Sequence, residues 1–260
     1  MKKSLQILNG LAFGSMIFIN YLSNTGLINN NTNATVSREV QNLFTPAGYA
    51  FSIWGIIYLL VLGFVIYQGL GLFQKKPDTS LAEKMGFWFI ISCMLNSLWL
   101  FAWLHEQLLL SVVIMALLLV SLLQIHFKTH KLNEKSTLKY TFLVRLPFSI
   151  YMGWISVALI ANVAGYLTKI GWDGFGMSEV FWTITMISIA GLLNLFVTWN
   201  RNLPEFALVG AWALIAIALA NLEREQTISV TATVVAIVLI LSSVLHAVKK
   251  WNVASFLQKK

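Results

Sequence analysis

Apolar residues along this 260-residue chain gather into long blocks separated by short polar stretches. A helix that crosses a bilayer needs about 20 mostly apolar residues. Eight blocks reach or approach that length: 5–23, 47–71, 86–104, 108–127, 141–165, 179–199, 206–222 and 228–248. The pattern predicts an all-α integral membrane protein with eight spans, because a helix satisfies its backbone polar groups internally where no water can. Lys2 and Lys3 precede the first block as in a signal peptide, but no convincing small-residue cleavage site follows, so the block is kept as a helix.

Composition supports the same reading. Hydrophobic residues make up 58% of the chain and charged residues 11%, against about 25% charged in a soluble domain, which excludes a water-soluble globular protein. The net charge of +8 changes the picture only through its placement. The basic residues are scattered between apolar blocks and form no compact patch, so nucleic acid is not an expected partner. With eight spans, the loops 72–85, 128–140 and 200–205 and both termini share one side. Of the 18 Lys and Arg, only Arg38, Lys169 and Arg224 fall on the other. Because Lys and Arg are held on the cytoplasmic side during insertion, both termini are expected in the cytoplasm, and a bacterial plasma membrane is the expected location. The lone Cys93 sits in an apolar run and reads as a buried, inert thiol.

Candidate chemistry lies in polar and aromatic residues inside the blocks. Asn96, Trp99 and Trp103 share a face of the third span, Trp54 and Tyr58 a face of the second, and Tyr151, Trp154, Ala158 and Asn162 a stripe on the fifth. Trp88, Trp172, Trp182 and Trp251 sit at span ends and read as interface anchors. Trp54, Trp99 and Trp154 lie deeper, where an indole N–H wants a partner. Two readings stay open for them: core packing, or an aromatic pocket with a few amides that suits a flat, largely apolar ligand. Arg145, His126 and His246 fall near span ends and read as interfacial, which leaves mid-span positions almost without ionisable groups and argues against a proton-coupled transporter. No His/Cys spacing fits a metal site, no glycine-rich loop fits a phosphate, and no catalytic triad is evident.

At these positions the chain resembles the translocator protein family, the tryptophan-rich sensory proteins (TspO). Pro46, Trp54 and Tyr58 within TPAGYAFSIWGIIY reproduce the spacings of that family's second helix. Asn96 and Trp99 in LNSLW match its third helix, and Tyr151, Trp154 and Asn162 in YMGWISVALIAN its fifth. The resemblance covers about residues 5–165. It departs from the family where Ser52 and Ile53 replace a Gly-Pro, where Val113 stands in place of an acidic residue, and where Pro147 lies three residues early. The resemblance implies a five-helix bundle over 1–165, to which 166–260 adds three more membrane helices.

It also implies a membrane sensor or carrier for a planar hydrophobic ligand, porphyrin- or sterol-like. The implied ligand-binding residues are Pro46, Trp54, Tyr58, Asn96, Trp99, Trp103, Tyr151, Trp154 and Asn162. No cofactor is required, and a porphyrin or other tetrapyrrole enters as ligand. Whether such a ligand is sensed, moved or degraded stays open. A secondary transporter or lipid-handling protein using the added helices is the alternative. Membrane lipids and a hydrophobic small molecule are the expected partners, with a homodimer left open as the assembly.

Overall fold

A computed structural model describes residues 2–73, 79–130 and 137–257. Lys75, Lys76, Lys131, Lys135, Lys259 and Lys260, part of the basic side of the expected topology, lie outside the described residues, as does the side chain of Trp251. The described residues are almost wholly helical. The elements are α1 Lys2–Leu22, α2 Asn33–Glu39, α3 Ile53–Gly69, α4 Ser80–Met85, α5 Trp88–Leu104 and α6 Leu108–His130, then α7 Leu138–Tyr140, α8 Leu146–Lys169, α9 Glu179–Arg201, α10 Pro204–Ala220 and α11 Gln226–Leu257. Short 3-10 turns flank α3 at Gly48–Ser52 and Leu70–Phe73. Each apolar block becomes one helical stretch. By length and composition 6 of these can cross a membrane, while α5 and α10 are shorter apolar helices. Those two have 17 residues each, the lower end of the range that spans hydrocarbon.

A π-helical turn at Thr141–Arg145 joins α7 to α8 immediately before Pro147. Proline has no N–H and its ring crowds the carbonyl four residues back, and a wider turn relieves both problems without ending the helix. The stretch Leu138–Lys169 thus continues as one 32-residue span.

Contacts divide the chain into two units. The first comprises residues 1–40 and 52–166, with helices α1 to α7 and most of α8. One end of its bundle is clamped by amides: Gln6 Nε2 donates to the Gln68 carbonyl at 2.7 Å and Asn9 Nδ2 to Gln68 Oε1 at 3.0 Å. Further in, Phe64 of α3, Phe89 of α5 and Phe148 of α8 pack ring to ring at 4.9–6.0 Å and are fully buried. The polar stretch after α1 is ordered by its own side chains. Thr32 and Thr35 form a capping box on α2, and Asn29 and Asn31 both donate to the Leu104 carbonyl, at 2.9 and 3.0 Å, satisfying the end of α5. A Cβ on Gly165 would stand 3.0 Å from Val40 Cγ2, so α8 is glycine where this stretch presses on it.

The second unit comprises residues 41–51 and 167–260. Segment 41–51 is strapped to α9 and α10. The Ala47 N–H donates to the Ala216 carbonyl at 3.0 Å, Trp212 Nε1 to Ala50 O at 3.2 Å, and Asn221 Nδ2 to Leu43 O at 2.9 Å, while Leu43 N–H donates to Glu179 Oε1 at 2.7 Å. Trp212 and Asn221 hold that strap. Helices α9, α10 and α11 pack closely because Gly191 abuts Val235 and Gly210 abuts the Asn194 amide, whose Oδ1 a Cβ on Gly210 would meet at 2.5 Å. His246, expected at the interface, is instead 4% exposed, with Nε2 3.2 Å from Asn202 Oδ1 and its ring edge-on to Trp199. His126 is buried too. An imidazole packs inward where neighbouring side chains offer ring and amide contacts, as Trp199 and Asn202 do for His246, so nearness to a helix end does not by itself turn it outward.

Candidate functional site

Three helices of the first unit bring their aromatic stripes together at the end of the bundle where α1 and α5 finish and α3 begins. Trp54 is the hub. Its ring stacks on Tyr58 at 5.4 Å and on Trp99 at 6.2 Å, and meets Tyr151 and Trp154 edge-on at 5.7 and 6.3 Å. Trp103 extends the stack from Trp99 at 6.2 Å. The i, i+3, i+4 and i+7 spacings that align side chains on one helical face produce this convergence.

Polar groups thread the same cluster. Tyr58 donates its hydroxyl to Asn20 Oδ1, Asn20 Nδ2 donates to Asn96 Oδ1 at 2.8 Å, and Asn96 Nδ2 donates to the Tyr151 hydroxyl at 2.8 Å. The relay ties α1, α3, α5 and α8 together at one level, with Asn96 wholly buried. A third Asn20 contact, from Nδ2 to the Met16 carbonyl at 2.9 Å, fixes the orientation of its amide. Trp99 Nε1 stands out: it is buried with no hydrogen-bond partner, on a residue 7% exposed. An unanswered donor in a low-dielectric interior costs free energy, and a ligand acceptor can recover that cost.

The Phe64, Phe89 and Phe148 triad comes from the same three helices and makes a useful contrast. Those rings are fully buried and carry no polar atom, which is ordinary core packing. The Trp54 cluster differs in chemistry and in access, since Trp54 and Tyr58 are only half-buried while Trp99, Tyr151 and Trp154 are buried. It can offer flat faces, hydroxyl and amide dipoles and the Trp99 N–H to a planar, largely apolar molecule. Among the described residues no group of His, Cys, Asp and Glu could hold a metal ion.

Six of the residues read from the sequence therefore meet around Trp54: Trp54 itself, Tyr58, Asn96, Trp99, Tyr151 and Trp154. Trp103 joins through Trp99. Asn162 lies two helical turns beyond Trp154 and pairs elsewhere, accepting from Ser111 Oγ at 3.0 Å and so linking α8 to α6. Pro46 does not open α3. It is half-buried in the 41–51 strap of the second unit, ahead of the 3-10 turn that leads into the helix. Asn20 was not singled out in the sequence, although it is central to the relay. An amide in the otherwise apolar run MIFINYL was the available signal.

An all-α membrane bundle with a tryptophan-centred site defines the class. The family model described as TSPO-like protein matches residues 6–245, and the chain belongs to that family. The match runs through α9 and α10 and most of the described part of α11, so these helices lie within the family's own extent, beyond the 5–165 covered by the motif resemblance. No curated protein and no solved structure matches the chain.

Proposed function

We propose that the Trp54 cluster binds a planar hydrophobic ligand, a porphyrin or other tetrapyrrole or a sterol-like molecule, and that the protein serves as a membrane sensor or carrier for it. The observation that carries this reading is the buried, partnerless Nε1 of Trp99 beside the ring stack of Trp54. Packing alone would favour an indole whose N–H is satisfied, as Trp182 and Trp212 are by carbonyl oxygens. Aromatic faces supply the binding surface, and the Trp99 N–H orients the ligand's polar edge. Aromatic pairing contributes about 0.5–1.5 kcal/mol per contact beyond area burial, so most of the roughly −8 kcal/mol of micromolar binding would come from the apolar area that a planar ligand buries.

The distribution of Lys and Arg supports an orientation with both termini in the cytoplasm, and a bacterial plasma membrane is the location proposed. In that orientation the cluster opens toward the outer leaflet. Membrane lipids surround the bundle, and a homodimer is the assembly proposed. Titration of the full chain in lipid nanodiscs with protoporphyrin, followed by tryptophan fluorescence, tests the binding role. Saturable quenching is expected; quenching that rises linearly with ligand and never saturates would refute it.

A further inference from the structure

The connection between α8 and α9, in the second unit, places bulky apolar side chains where a connecting loop is ordinarily polar. Ile170, Phe175, Met177 and Phe181 are all exposed, Phe175 at 79%. The backbone goes to some trouble to hold Phe175 there. Its φ is 55°, a left-handed conformation that a bulky residue adopts at a cost, and its N–H is pinned by Asp173 Oδ1 at 3.0 Å. Trp182 Nε1 donates to the Gly174 carbonyl at 2.8 Å, fixing the turn from below. Any Cβ at position 174 would stand 3.0 Å from that nitrogen, so the close approach requires glycine.

The rings form a continuous ladder. Phe175 meets Trp172 at 5.3 Å, Trp172 meets Trp182 at 5.1 Å, and Trp182 meets Phe181 at 5.7 Å. Phe181 is on α9, whose exposed flank continues through Ile189, Leu192 and Phe196. That flank belongs to a membrane span, so its neighbour is lipid, and the ladder carries the same apolar surface around the end of the helix. Another turn on this side of the membrane, between α10 and α11, is built oppositely: Glu223, Arg224 and Glu225 occupy it.

We propose that the α8–α9 loop is a lipid-docking knob, with Phe175 at its tip inserted among the headgroups and upper acyl chains of the leaflet it faces. Lys169, Asp173 and Glu179 bracket the apolar residues and stay at the water boundary. Lipid supplies the contacts that Phe175 lacks within the chain and so offsets its backbone cost. The knob is independent of the Trp54 site and stands or falls separately.

The test places a nitroxide label at Phe175→Cys in a Cys93→Ala background, with the full chain in vesicles of phosphatidylcholine and phosphatidylglycerol. Met177→Cys serves as a second reporter should the first variant misfold, Ile189→Cys as the lipid reference and Glu223→Cys as the aqueous one. Collision with oxygen should exceed collision with a water-soluble nickel chelate at 175 and 177, as at 189 and unlike 223. Nickel-dominated relaxation at both loop positions overturns the proposal. Spin–spin broadening that grows with the protein-to-lipid ratio overturns it as well, by assigning the knob to a second copy of the chain.

Discussion

Trp54→Ala is expected to weaken protoporphyrin binding by roughly tenfold or more, an effect of about 1.4 kcal/mol or greater, while leaving the helical content of the protein unchanged. Trp54 contacts four aromatic rings from its own helix, α5 and α8, so its removal takes away the surface on which a flat ligand would stack. Because Trp54 is half-buried at the start of α3, truncation opens the site without leaving a sealed cavity, and the stability loss should fall below the 3–5 kcal/mol typical of a fully buried indole. Fluorescence titration of the variant beside the native chain checks the binding effect, and circular dichroism checks the fold. Equal affinity in both proteins would remove Trp54 from the site.

Asn96→Leu should act chiefly on stability. The substitution removes two hydrogen bonds and leaves an amide hydrogen of Asn20 and the Tyr151 hydroxyl facing an apolar side chain. An interhelical bond in a membrane averages only about 0.6 kcal/mol, because the partners find alternatives in the unfolded state. Here both stranded groups are buried, and leaving a buried polar group unsatisfied costs about 1–3 kcal/mol. The larger effect wins, giving an expected loss of about 2 kcal/mol. Unfolding of the detergent-solubilised variant in increasing dodecyl sulfate measures it. An unchanged midpoint would mean that the relay is incidental. Asn96→Gln keeps the chemistry but lengthens the arm, and should recover only part of the loss.

The sequence was most informative about what local periodicity controls. Most long apolar blocks became helices with ends within a few residues of expectation, as with the fourth block, 108–127, and α6 at Leu108–His130, whereas α11 runs on to Leu257, well past the eighth block's end at 248. Residues spaced three, four and seven apart on one helix had to share a face, and three such stripes met at Trp54. Contacts between distant segments were hidden. Asn20 lies 76 positions from Asn96 and a lone amide near the end of a span carries no sign of its partner. Asn162 continues the Tyr151 and Trp154 stripe by spacing, yet two further turns of helix carry it to Ser111 on another neighbour. Pro46 kept a helix-opening spacing to Trp54, but a chain segment bonded to α10 by residues 169 and 178 positions further on cannot be read from spacing. The left-handed Phe175 is likewise hidden, since phenylalanine announces no such backbone, whereas the π-helical turn lies where Pro147 calls for relief.

A structure of the full chain in a lipid nanodisc with protoporphyrin bound tests the central claim most directly. The account predicts ligand density against the ring of Trp54, in contact with Trp99 and Trp154, with an acceptor atom of the ligand at hydrogen-bonding distance from Trp99 Nε1. Density found only on the lipid-facing flanks, with the Trp54 rings in mutual contact and undisplaced, would contradict it.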